Sequence, residues 1–148
     1  RGRFHPRDGQ LYLCGMFAWA GNATQPGGFY RLRYRHEPVH LPTTLHVSKS
    51  GLTLGFTDEL TAQEATDAGN YSVRVWGLKR SASYGSAHVN EHPLPVKSAK
   101  LSANRRTVSL EIEGLAPTWG LELIYSLKAA DGQQVSGKLH STVHQLGD

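Results

Sequence analysis

The chain has 148 residues, a hydrophobic fraction of 39%, a charged fraction of 19% and a formal net charge of +4. These values fit one globular domain, or one domain plus a fragment of another. They exclude a membrane-spanning helix, since no apolar run approaches the roughly 20 residues required, and so modest a charge does not point to nucleic acid as a partner. A single cysteine, Cys14, rules out an internal disulfide and a cysteine-rich zinc site. The chain starts without Met and without a signal peptide, which reads as a piece of a longer precursor.

Residues 1–36 have a character of their own. Asp8-Gly9 is a tight turn leading into a strand through Leu11 and Leu13. GNATQPGG is a loop by composition. Phe29–Arg35 alternates cleanly, with Tyr30, Leu32 and Tyr34 on one face and Arg31, Arg33 and Arg35 on the other. The expectation is a β-hairpin, too small to bury a core alone. Arg1, Arg3, Arg7, Arg31, Arg33 and Arg35 are opposed within this stretch only by Asp8. The arginine row reads as a solvated strand face.

HEPVHLP, residues 36–42, is a linker whose two prolines disfavour regular pairing. Leu45 and Val47 begin a strand and Ser48–Gly51 turns. Leu52, Leu54 and Phe56 then alternate with Thr53, Gly55 and Thr57. Thr61 followed by Glu64 is the spacing of a capping box, and predicts a short helix with Asp58 and Glu59 ahead of it. Gly69-Asn70 ends that helix, and Tyr71, Val73 and Val75 alternate with Ser72, Arg74 and Trp76. Leu78–Pro95 is polar and irregular and reads as a long, partner-facing loop.

The last third is regular. Val96, Ala99 and Leu101 lead into a turn at SANRR, and Val108, Leu110 and Ile112 alternate with Ser109, Glu111 and Glu113. Leu121, Leu123, Tyr125 and Leu127 line one strand face, and Asp131-Gly132 makes a hairpin turn. Leu139 and Val143 share a face opposite His140, Thr142 and His144. Strands every 8–12 residues with turns between them predict an all-β, immunoglobulin/fibronectin III-like β-sandwich over residues 37–148, with residues 1–36 as an N-terminal hairpin extension. The immunoglobulin Cys–Trp–Cys pattern is absent.

Several of these stretches carry a family resemblance: DGQLY at Asp8–Tyr12, GGFYRLRY at Gly27–Tyr34, the apolar run over Gly51–Leu60, NYSVRVW at Asn70–Trp76, YGS at Tyr84–Ser86, and YSLKAADGQQVSG followed by HSTVH. With these motifs the chain resembles the C-terminal region of large exported planctomycete and verrucomicrobial proteins, glucose/sorbosone-dehydrogenase-like and cytochrome-associated. Residues 1–36 are similar to the end of a propeller blade. The resemblance implies a bacterial secreted, periplasmic or cell-surface setting and an upstream propeller or cytochrome domain as partner. It does not imply dehydrogenase activity in this chain, which lacks CxxCH and most of a propeller.

Eight histidines are the most visible chemical signal. His88 and His92 form one i, i+4 pair, and His140 and His144 another. On a helix that spacing holds one metal. On a strand it spans about 13 Å, too far for joint ligation. Copper or zinc at His88, His92, His140 and His144 is therefore an alternative and not the favoured reading; no cofactor is expected. Cys14, Met16 and a histidine would supply copper ligands, but alternation places Cys14 and Met16 together in a packed core. No GxSxG elbow, Walker loop or GxGxxG is present, and no catalysis is expected.

The aromatic residues offer a binding reading, because sugars stack their C–H faces on exposed rings. Trp119, following Pro117 in a turn, is the foremost candidate, with Trp76 and Tyr84 beside it; Trp19 also falls near a turn. Alternation puts Trp76 opposite Val73 and Val75, either exposed or covered by the 78–95 loop. His88, Asn90 and His92 on that loop would add polar contacts. The functional expectation is a non-catalytic accessory module of an exported carbohydrate-processing or sugar-oxidising protein, with polysaccharide as ligand. The alternative is a docking scaffold between a propeller and a cytochrome domain.

Overall fold

A computed structural model describes residues 2–15 and 27–148. Met16, Trp19 and most of the GNATQPGG loop lie outside the described residues. The chain divides into two compact units, Arg1–Glu37 and Pro38–Asp148.

The first unit is a three-stranded antiparallel sheet of β1 (Gly2–Phe4), β2 (Leu11–Gly15) and β3 (Gly28–Leu32) in the order β1-β2-β3. The predicted hairpin thus has an additional strand, too short for its alternation to register in the sequence. β3 stops at Leu32, so Arg33 and Arg35 lie beyond it, and Arg35 pairs with Glu37 at 3.0 Å. Register aligns Phe4 with Leu11, Leu11 with Leu32, and Leu13 with Tyr30. One face is therefore apolar, and no described residue of this unit is buried. Cys14 follows from that. It sits exposed on β2, not in a packed core, because a three-stranded sheet of strands this short buries none of its own described residues.

The second unit is a sandwich of two four-stranded antiparallel sheets. One comprises β4 (Pro42–Ser48), β5 (Gly51–Phe56), β9 (Thr107–Ile112) and β8 (Val96–Leu101), in that order. The other runs β11 (Gln134–Val143), β10 (Thr118–Lys128), β6 (Tyr71–Arg80), β7 (Ser86–Leu94). Successive hairpins alternate between sheets. This is the A-B-E-D sheet facing G-F-C, with a C′ strand added, that characterises immunoglobulin and fibronectin domains.

Period-2 patterning builds the core. Leu52, Leu54 and Phe56 of β5 and Val108, Leu110 and Ile112 of β9 are buried against Val73 and Val75 of β6 and Leu121, Leu123, Tyr125 and Leu127 of β10. Phe56 meets Tyr125 edge-on at 5.5 Å between ring centres, a favoured aromatic geometry. Helix α1 (Ala62–Ala65) and a 3-10 turn at Ala68–Asn70 carry the chain from β5 across to β6. Tyr71 fastens this crossover from beneath, donating its buried hydroxyl to the Ala65 carbonyl at 2.8 Å.

Two expectations are corrected here. Thr61 stands at the helix N-cap, but its hydroxyl makes no bond to a helix amide; its one O–H is shared between the Glu64 carboxylate and the Lys128 carbonyl. The helix has one turn, so β10 offers the cap residue a nearby acceptor. Residues 78–95 are not a loop. β6 extends to Arg80 and β7 returns from Ser86, leaving only 81–85 as a turn. A register shift between Val75 and Gly77 marks a bulge, with Asn90 at φ +54° on the facing strand. The outer part of this hairpin is exposed on both faces, from Leu78 to Ala87, so burial imposes no alternation on its sequence.

Candidate functional site

The outer face of the β11-β10-β6-β7 sheet gathers most of the candidate residues. The pairing of Gly120 with Trp76, and of Glu122 with both Arg74 and His140, sets neighbouring rows on that face. Trp76 is half-buried, its indole stacked on His88 at 4.5 Å with planes 19° apart and met edge-on by His140 at 6.1 Å. It lies over Gly120, where a Cβ would come within 2.6 Å of the ring carbon Cδ2 and closer still to Cε2 and Nε1. Glycine in a strand marks such a close approach.

Beside the indole, Glu122 is the buried charged residue among those described, 3% exposed on the outward side of a central strand. Two cations, Arg74 and Lys138, and the His140 ring account for it. Arg74 Nε donates to Oε1 at 3.0 Å, Lys138 Nζ lies 3.0 Å from Oε2, and His140 Nε2 lies 2.9 Å from the same oxygen. The bonds from His140, then Arg74, then Lys138 depress its carboxyl from the usual 4.5 to about 2. A buried carboxylate requires this satisfaction. Glu91 extends the network, accepting from Arg74 Nη1 at 2.8 Å and lying 3.1 Å from His88 Nδ1. The charge network and the ring stack therefore share His88 and His140. Sequence patterning overlooked Glu122, which sits between Leu121 and Leu123 in an apolar run. Its outward position on a strand flanked by Arg74 and Lys138 was the available signal, and only the register makes those neighbours adjacent.

Trp119 is on strand β10 itself, not in a turn, because pairing with β11 begins at Thr118 opposite Val143. A register irregularity between Thr118 and Leu121 accompanies its outward projection, and the residue is 60% exposed. His144 meets its ring edge-on at 6.1 Å, and Thr142 Oγ1 donates to its carbonyl at 2.9 Å. Pro117, Thr118, Val143 and His144 line a shallow cleft of about 220 Å³ with it. Tyr84 stands fully exposed in the 81–85 turn.

The histidines part company. His88 and His140 flank Trp76, His144 belongs to Trp119, and His92 Nδ1 lies 2.8 Å from the Asn90 carbonyl on the edge strand. Among the described residues no group of three or more His, Cys, Asp or Glu converges as a metal site. What the arrangement offers chemically is an exposed ring with polar neighbours, on the same strand as the aromatic and charged network around Glu122.

Fold and face together define an all-β sandwich module of the immunoglobulin/fibronectin type. No family model and no curated protein sequence matches the chain. Its fold is similar to that in the structure of the surface layer protein SbsC, domains 1–6, with a TM-score of 0.51 and 16% identity over 70% of this chain. The match takes in 13% of that protein's length, and at this identity what it shows is the fold.

Proposed function

We propose that this chain is a non-catalytic accessory module of an exported, surface-associated bacterial protein, and that its sandwich binds polysaccharide through Trp119. The observation that carries the reading is the exposed indole of Trp119 beside its cleft, held at one edge by His144. An exposed large aromatic with a polar rim is the usual equipment of a binding surface. Trp76 already stacks on His88, so it acts as a support to the surface and not as a free platform. Likeness to a surface layer protein supports the exported setting.

Affinity electrophoresis on a polysaccharide panel, followed by calorimetry, tests the proposal. Retardation on at least one polysaccharide is expected, and it is lost in Trp119→Ala while the unfolding free energy stays within about 0.5 kcal/mol of the parent. Absence of binding across the panel, or binding indifferent to Trp119→Ala, counts against it.

A second reading, a docking scaffold between a propeller and a cytochrome domain, is favoured by the open apolar face of the first unit. Phe4 and Tyr30 there are 74% and 53% exposed. This reading predicts no sugar affinity, which separates it from the first.

A further inference from the structure

A histidine assigned to the linker occupies a built position at one end of the sandwich. This is the end where β10 finishes. Trp119 lies near the start of that 11-residue strand, roughly 30 Å away at 3.3 Å per residue. Three segments meet there: the entry segment Pro38–Leu41, the β5–α1 connection and the β10–β11 turn. His40 has a left-handed backbone, φ +50°, and a side chain only 14% exposed. Its Nε2 lies 3.0 Å from Asp131 Oδ2, and its buried Nδ1 faces Asp58 Oδ2 at 3.5 Å without a hydrogen-bond partner.

Both aspartates are fixed from other directions. Asp58 Oδ2 accepts from Thr57 Oγ1 at 2.6 Å, the His40 amide at 2.8 Å and the Val39 amide at 3.3 Å. The Thr57 hydroxyl first, then the His40 amide, hold its carboxyl below the usual range. Asp131 Oδ1 accepts from the Gln133 amide at 2.9 Å within the turn. The cleft around the ring also contains Glu59 from the β5–α1 connection and Arg106 from the β8–β9 turn. Two carboxylates therefore face the imidazole, and a third carboxylate and one guanidinium line the same cleft.

A neutral imidazole has a single N–H. Given to Asp131, it leaves the Nδ1 lone pair turned toward the Asp58 carboxylate, two acceptors facing each other. An imidazolium has an N–H for each carboxylate, and charge-assisted bonds are the stronger kind. We propose that His40 is a pH-sensitive latch: protonated, it bridges Asp58 and Asp131 and pins Pro38–Leu41 to the sandwich, and deprotonated it loosens that segment. The latch governs how firmly the chain is held as it enters β4. It is independent of the glycan reading.

Amide hydrogen exchange on the full chain tests it, followed by NMR at about pH 5.5 and about pH 8, with each rate divided by its intrinsic value. Protection of the Val39 and His40 amides is expected to be roughly tenfold greater at the acid pH, the factor matching one such bond of about 1.4 kcal/mol. Leu54 and Leu123 in the core serve as unchanging references. His40→Asn keeps a residue tolerant of the left-handed backbone and is expected to abolish the pH dependence, and Asp131→Asn to reduce it. Equal protection at both pH values in the parent, or a dependence that survives both substitutions, overturns the latch.

Discussion

Gly120→Ala is the most direct test of how the outer face is built. The added methyl would be placed within 2.6 Å of Trp76 Cδ2 and nearer to two other ring atoms, so the indole must leave its position. Leaving it forfeits the stack on His88 at 4.5 Å and the edge contact with His140 at 6.1 Å. One such aromatic pair is worth about 0.5–1.5 kcal/mol, and overpacking in general costs about 1–3 kcal/mol. Because the indole is half-exposed and has room to swing outward, a loss of about 1–2 kcal/mol is expected, or roughly 4 °C in Tm per kcal/mol. Urea unfolding measures the loss, and a red shift in tryptophan emission reports the displaced ring. A double-mutant cycle with Trp76→Ala isolates the cause: in that background Gly120→Ala should cost almost nothing. An alanine at 120 that leaves stability and emission unchanged, or that costs as much without the indole as with it, refutes the packing argument.

Tyr71→Phe should cost about 1–2 kcal/mol in urea unfolding, since it strips the buried Ala65 carbonyl of its donor while preserving the ring. Glu122 makes a signed prediction for acid. Its carboxyl titrates at about 2 when folded against 4.5 ordinarily, so the unfolded chain takes up its proton first as pH falls. The stability it contributes is fully present above about pH 4.5 and is lost progressively down through about pH 2. Thermal scans across that window should show a shallower decline in Glu122→Gln. The decline will not vanish, because Asp58, Glu64 and Glu113 are depressed in the same direction.

The legible parts of the fold are those where one face of a strand is buried. Leu52–Phe56, Val108–Ile112 and Leu121–Leu127 repeat at period 2 because the opposing sheet demands it. Where water lies on both sides, as from Leu78 to Ala87, nothing enforces a period and a paired hairpin looks like a loop. The site shows the same division. Trp119 and Trp76 are visible as aromatic residues in any alignment of strand faces. The partners of Glu122 come from β6 and β11, 48 and 18 residues away in sequence, and adjacency of that kind is a property of register. His40 was concealed differently: its neighbours Pro38 and Pro42 announce a linker, while its partners lie in two turns brought to it only by the closed sandwich.

The irregular course of β7 bears on how copies of this module tolerate one another. β7 is an edge strand, and an edge offers a row of unpaired amides and carbonyls to any passing strand. Here the row is interrupted twice: Asn90 turns left-handed at the bulge, and Pro93, paired opposite Arg74, has no amide hydrogen to give. A foreign strand could bond to short stretches of this border and not along its length. Modules crowded side by side would thus keep their sheets separate, sparing the protein the fibrous assembly to which a straight edge of nine residues is open.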